Sequence, residues 1–244
     1  MILRRLILLT ALAILPCDAP AQNPAATPTG RSAAPFDITG YWVSLVTDDW
    51  RYRMLTPPVG NVDYIPVNAE GRRVTATWDA AKDQASNEQC KAYGAAGVMR
   101  MPGRLHLTWE NDNTLRIETD AGTQTRRFFF GGTQPFPTAP SWQGHSVARW
   151  DVAAGRGGGP AVGQLTTTTT HLRPGYLRKN GVPYSASTVL NEYFVRLADK
   201  GEEYLALTIM VDDPIYLQQP FIKTYQYKKQ RNNSGWNPTP CSVK

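Results

Sequence analysis

Residues 104–120 read Arg104-Leu105-His106-Leu107-Thr108-Trp109-Glu110-Asn111-Asp112-Asn113-Thr114-Leu115-Arg116-Ile117-Glu118-Thr119-Asp120, two alternating runs on either side of a turn-forming triplet. In an extended chain, successive side chains point to opposite faces. Leu105, Leu107 and Trp109 therefore share one face, and Arg104, His106 and Thr108 the other. Beyond the Asn111-Asp112-Asn113 turn, Leu115 and Ile117 oppose Arg116 and Glu118 in the same way. The stretch is a pair of antiparallel strands with one apolar face each.

The pattern continues outward in both directions. Tyr41-Trp42-Val43-Ser44-Leu45-Val46 is a strand upstream, and further strands are expected at 123–130, 144–151, 164–172, 188–197, 204–211 and 221–228. Ala121-Gly122, Asn180-Gly181 and Lys200-Gly201 punctuate them, and Asn-Gly is a favoured tight-hairpin pair. Residues 68–94 differ: rich in Ala, Glu, Lys, Asp and Gln, they suit one or two short helices, with Asn68 as N-cap. About eight to ten closely spaced strands joined by hairpin-type turns predict a mainly β chain folded as a single antiparallel up-and-down barrel of the lipocalin or calycin kind. Closure would leave no exposed strand edge.

The N-terminus carries Arg4 and Arg5 ahead of an apolar run, Leu6 to Leu15, the pattern of a secretory signal. The run is shorter than the roughly 20 residues that a membrane-spanning helix needs. Ala19-Pro20-Ala21 predicts cleavage before Gln22, with lipoprotein processing at Cys17 as the rival. The organisation expected is a signal peptide over 1–21, a flexible spacer over 22–35 and a β-barrel domain over 36–244. Such a chain is periplasmic or secreted, with no stable membrane insertion. Removing residues 1–21 leaves Cys90 and Cys241, and an even cysteine count in an oxidising compartment favours a disulfide; two buried thiols are the alternative.

The chain has 26 Lys and Arg against 20 Asp and Glu, a net charge of +6. The positive side chains are scattered among acidic ones, so the charge describes a solvated surface rather than the concentrated stripe that binds nucleic acid. Export also places the protein away from ATP and reduced nicotinamide, and no cofactor is expected.

Asp37-Ile38-Thr39-Gly40-Tyr41-Trp42 resembles the Gly-x-Trp start of lipocalin-like barrels. Ser141-Trp142-Gln143-Gly144-His145-Ser146-Val147-Ala148-Arg149-Trp150 is similar to a stretch found in a family of uncharacterised exported bacterial proteins. So are Arg126-Arg127-Phe128-Phe129, the threonine strand 166–170 with His171, Pro183-Tyr184-Ser185, Glu192-Tyr193-Phe194 and Asp213-Pro214. The resemblance covers roughly residues 85–222. Tyr184 departs from it where relatives often carry His, as does a Gly-rich loop near 155–159. It implies export and a lipocalin-like fold, and no particular activity.

Several residues are candidates for chemistry. His106 and Glu118 lie on the polar faces of adjacent strands. Were those faces turned inward, imidazole and carboxylate could exchange protons in a partly dry cavity, with Arg126 or Arg127 nearby; turned outward, they are solvated strand residues. His171 and Tyr184 complete the expected catalytic set. Trp50, Arg51 and Arg53, within Asp48-Asp49-Trp50-Arg51-Tyr52-Arg53, suit an anionic or aromatic ligand, and Arg126, His145 and Glu192 join them as expected ligand-binding residues. The loop Arg173–Ser185 mixes basic, aromatic and turn residues and is a candidate lid. The histidines lack short ligand spacing, so no metal site is expected. The function expected is binding of a small amphipathic or aromatic ligand in a barrel cavity. The alternative is a cofactor-independent hydrolase, lyase or isomerase using a His/Glu acid–base pair.

Overall fold

A computed structural model describes residues 28–47, 49–132, 136–155 and 162–243. The expected signal peptide lies outside these residues, as do Asp48 and most of the Gly-rich loop. Among the described residues, nine strands close into a barrel and two more form a separate hairpin. The barrel strands are β1 (Gly40–Leu45), β2 (Arg104–Asn111), β3 (Thr114–Thr119), β4 (Gln124–Phe130), β5 (His145–Ala153), β6 (Val162–Thr170), β9 (Val189–Asp199), β10 (Glu202–Asp212) and β11 (Phe221–Gln230). They run round the wall in the order β1-β11-β10-β9-β6-β5-β4-β3-β2, with β2 closing on β1. The hairpin is β7 (Gly175–Arg178) and β8 (Val182–Tyr184).

Alternation decides which side chains fill the barrel. Along β10, Leu205, Leu207, Ile209 and Val211 are buried while Tyr204, Ala206, Thr208 and Met210 face outward. Leu105 and Leu107 on β2, Leu115 and Ile117 on β3, Phe128 on β4, Leu165 on β6, Phe194 on β9 and Tyr227 on β11 join them, with Trp42 of β1 fully buried. β9 and β10 turn through Lys200-Gly201, both at positive φ (49° and 81°), the backbone of a two-residue hairpin turn whose twist matches its strands.

One joint departs from a pure up-and-down meander. β4 and β5 pair in parallel, Phe128 opposite Ser146. A parallel pair needs a connection that returns the chain to the end it left, and residues 131–144 provide it.

The connections after β1, β6 and β10 leave from the same end of the barrel, and together they cap it. Residues 46–103 supply the helices α1 (Trp50–Arg53), α2 (Ala69–Ala76), α3 (Ala80–Ala85) and α4 (Ala95–Val98), plus a 3-10 turn at Lys91–Tyr93. Asn68 caps α2 by accepting from Gly71 N at 2.9 Å, as its sequence position suggests. α1 and α4, four residues each, are too short to show helical periodicity in the sequence. The β7–β8 hairpin packs into this cap and is no free lid. Val182 and Tyr184 are fully buried, and Asn180 Nδ2 donates to Pro58 O (3.0 Å) and Asn61 O (2.8 Å). Gly181, at φ 82°, abuts Trp78 so closely that a Cβ would lie 2.1 Å from the indole.

The chain ends fasten the barrel. Residues 28–35, the described part of the expected spacer, lie against the opposite end: Arg31 N donates to Asp112 O (2.8 Å) and Trp150 Nε1 to Gly30 O (2.7 Å). After β11 the tail runs outside β2 and β3. Thr239 N donates to Asp120 O at 2.8 Å, and Cys241 is disulfide-bonded to Cys90, 151 positions earlier in the chain.

Candidate functional site

Arg126 and Glu192, both expected to bind ligand, do meet, but they bind each other. They form a two-bonded ion pair at 2.7 and 2.6 Å with no side-chain exposure. Thr167 Oγ1 donates to the same carboxylate at 3.1 Å, and Arg126 stands 5.0 Å from the Phe128 ring centroid. This pair and the apolar side chains around it occupy the space in which a ligand was expected.

His106 and Glu118 are direct cross-strand partners, with Nδ1 3.0 Å from Oε2. Their face is the outer one, because Leu105, Leu107 and Ile117 take the inner positions. The imidazole stacks on Tyr41 at 4.1 Å and meets the edge of Trp236 from the tail at 6.0 Å. Arg116 Nη2 lies 3.4 Å from the Glu118 carboxylate. The pair is therefore a feature of the outer wall, partly sheltered by the tail.

His171 and Tyr184 stand elsewhere. His171, at φ 61°, shares Phe136 with His145, at 4.8 and 4.9 Å between ring centroids. His145 is buried and stacks on Phe129; burial and the neighbouring His171 hold its pKa below the ordinary value. Tyr184 is sealed in the cap, its hydroxyl without a hydrogen-bond partner among the described residues, and burial pushes its pKa upward. The four expected catalytic residues thus fall in three places rather than one.

The structure does contain a cavity of about 530 Å³, at the rim of the capped end. α1 brings Trp50, Arg51 and Tyr52 to it, the loop before α2 brings Asp63 and Tyr64, and β11 brings Phe221, Lys223 and Tyr225. Arg100, just past α4, and Arg178, from β7, complete its cationic side. Asp49 and Lys223 approach to 3.5 Å and join the α1 loop to β11.

Buried arginines hold this rim together. Arg53, the last residue of α1, is buried, donating from Nε to Arg100 O (2.8 Å) and from Nη1 to Leu45 O (2.6 Å). Its guanidinium stands 5.2 Å from the Tyr225 ring centroid. Arg100 Nη2 donates to Tyr52 O. Arg178 donates to Asn61 Oδ1 (3.1 Å) and Asp63 O (2.5 Å) and sits 5.2 Å from the centroid of Tyr52. Burial, reinforced by the charge of Arg100, pushes Arg178 down to about 10, and burial likewise lowers Arg100. Burial pushes Tyr225 up to about 12.

Of the expected ligand-binding residues, Trp50 and Arg51 line this cavity and Arg53 supports it from below. His145, Arg126 and Glu192 do not line it. Sequence reasoning missed Arg100, Lys223 and Tyr225. Arg178 sat within the loop singled out as a lid, and Lys223 among the scattered positive side chains read as solvated surface. Among the described residues, no cluster of three or more His, Cys, Asp or Glu side chains could hold a metal ion. No helix of these residues is long and apolar enough to cross a membrane.

No protein-family model matches the chain, and no curated protein or solved structure matches it.

Proposed function

We propose that this chain is an exported lipocalin-like barrel that binds a small amphipathic or aromatic molecule at its capped rim. The observation that carries this reading is the cavity of about 530 Å³, faced by the rings of Trp50, Tyr52 and Tyr225 and by several polar groups. Concave sites of some 300–1,000 Å³ with aromatic walls and a few convergent polar groups are the usual form of small-molecule sites. The Cys90–Cys241 disulfide supports an oxidising compartment, where such bonds persist. It agrees with a leader cleaved before Gln22.

Binding rather than turnover is favoured because the His106–Glu118 pair stands on the outer wall, and nothing lining the cavity is a histidine. Trp50 is more than half exposed at the cavity lip and supplies a built-in reporter. A screen of small aromatic compounds should yield ligands that raise the melting temperature and change the tryptophan fluorescence. The fluorescence change should disappear in Trp50→Phe, and affinity should fall about tenfold in Tyr52→Ala, the scale of losing one ring contact of 1–1.5 kcal/mol. Ligands that bind both variants as tightly as the parent would place binding elsewhere. N-terminal sequencing of the exported product tests the leader, with Gln22 the expected first residue.

A further inference from the structure

We infer that the rim cavity is an anion site, and that its ligand is an aromatic acid whose carboxylate or phosphate lies against Arg178 and Arg100 with its ring beside Tyr52. This rests on the binding role proposed above and adds the charge class of the ligand.

Arg53, Arg100 and Arg178 are each at least nine-tenths buried. Their partners are backbone carbonyls (Leu45, Tyr52, Asp63 and Arg100), the amide oxygen of Asn61, the Tyr225 side chain for Arg100, and aromatic faces beside Arg53 and Arg178. Among the described residues, none of the three has a carboxylate within salt-bridge distance. Among the described residues, Nη2 of Arg53 has no hydrogen-bond partner. The contrast within the same molecule is direct. Arg126, equally buried, is neutralised by Glu192, and Arg73, Arg127, Arg149 and Arg196 each hold a carboxylate even at the surface.

Carbonyl dipoles solvate a guanidinium without cancelling its charge, and an uncompensated buried charge is costly. The lowered pKa of Arg178 has that cause. Two carboxylates among the described lining residues attract these arginines through space without bonding them: Asp49, which acts on Arg100 and Arg178, faces Lys223, and Asp63, which acts on Arg178, accepts from Asn61 Nδ2 at 2.7 Å and from the Tyr52 hydroxyl at 3.4 Å. Among the described residues, the lining therefore sets four cations, Arg51, Arg100, Arg178 and Lys223, against two carboxylates. An oxyanion entering the cavity would supply a directly bonded counter-charge, and guanidinium groups match carboxylate and phosphate geometry. The ring faces beside them fit the rest of an aromatic acid.

A charge series on one ring tests this with the unmodified protein. Benzoate, phenyl phosphate, phenol and benzylamine are titrated against the mature chain, with calorimetry and melting temperature as readouts. The acids should bind at least about tenfold more tightly than phenol, more weakly as salt rises, and benzylamine should not bind. The ratio between benzoate and phenyl phosphate then separates a carboxylate site from a phosphate site. Arg178→Gln should lose most of the preference for the acids while keeping phenol affinity. Because Arg178 also tethers the rim, Arg51→Gln, at an exposed position, is the second variant and should reduce the preference in the same direction. Phenol binding as tightly as the acids would overturn the anion assignment and leave the rim site standing. A preference for benzylamine would reverse its sign. No binding by any of the four, with Trp50 fluorescence unmoved, would defeat both readings.

Discussion

Arg126 and Glu192 face each other across the inside of the barrel, joined by two hydrogen bonds and closed off from solvent. Their strands, β4 and β9, are not neighbours in the sheet; β5 and β6 lie between them. The ion pair therefore ties distant parts of the wall through the interior. Thr167 bonds the carboxylate at 3.1 Å, while Nε of Arg126 has no partner among the described residues. Arg126 Nη2 also donates to Thr169 Oγ1 at 3.4 Å, so two threonine hydroxyls supplement what each ion gives the other.

Removing one partner should consequently cost much more than removing both. Glu192→Ala leaves a buried guanidinium unpaired and is expected to lower unfolding stability by about 3–5 kcal/mol. The double change Arg126→Met with Glu192→Leu should recover most of that loss, since an apolar pair of similar volume often does as well as a buried ion pair. Urea unfolding of the three proteins measures it. A loss below about 1 kcal/mol in Glu192→Ala would mean that water reaches the pair.

The disulfide fastens the tail to the cap. Cys90 and Cys241 close a loop of 151 positions, and losing a native bridge typically costs about 2–5 kcal/mol. Replacing both cysteines by serine, or adding a reductant, should lower stability by that order and expose residues 231–243 to limited proteolysis. Trp236, which packs edge-on against His106 and Tyr41, should then become more solvent-exposed, visible as a red shift in tryptophan emission. Unchanged melting under reducing conditions would show that the tail is held by Thr239 and its neighbours alone.

Much of this architecture is legible in the chain because strand alternation is local. Leu205, Leu207, Ile209 and Val211 announce β10 and its inner face without reference to any other strand, and Asn68 announces the start of α2. The rim cavity is different in kind. Its cations come from α1, the second residue after α4, β7 and β11, segments up to some 170 positions apart, and only the cap brings them together. Arg100 has no neighbour in sequence that distinguishes it from a surface arginine. The His106–Glu118 pairing follows from register, but which face is dry does not, because the tail shelters a polar outer face. The parallel β4–β5 joint was hidden for a similar reason: residues 131–144 are rich in Gly and Pro and would serve equally well as a loop between antiparallel strands.

Acid should reach the cap through Asp213. This carboxylate is buried, accepting from Thr188 Oγ1 (2.6 Å) and from the backbone amides of Ser185, Ile215 and Tyr216. Burial alone would raise its pKa, but the hydrogen bonds outweigh it and hold the group below its ordinary 3.8. With the folded pKa depressed, the stabilisation is fully present above the unfolded value and fades as pH falls below 3.8 through the folded pKa. Asp213→Asn should cost about 1–3 kcal/mol at neutral pH, through weakened acceptance of these bonds. Its melting temperature should also fall less steeply than the parent's over that acid window, which a pH series of thermal melts would show.

A second, milder loss should come at higher pH, from His145. The imidazole is packed between Phe129 and Phe136, and burial, with His171 nearby, holds its pKa below 6.5. The folded protein therefore keeps His145 neutral at a pH where the unfolded chain takes up a proton. Stability contributed by this site is complete above about pH 6.5 and declines as pH drops below it, the direction set by the unfolded state binding more protons. The melting temperature should therefore fall between pH 7 and pH 5. His145→Phe keeps an aromatic ring between its neighbours and removes the titration, so its melting curve should be flatter over the same interval. An equal slope in parent and variant would assign the loss to other groups, and a melting temperature that rises toward pH 5 would contradict the burial of a neutral imidazole at this position.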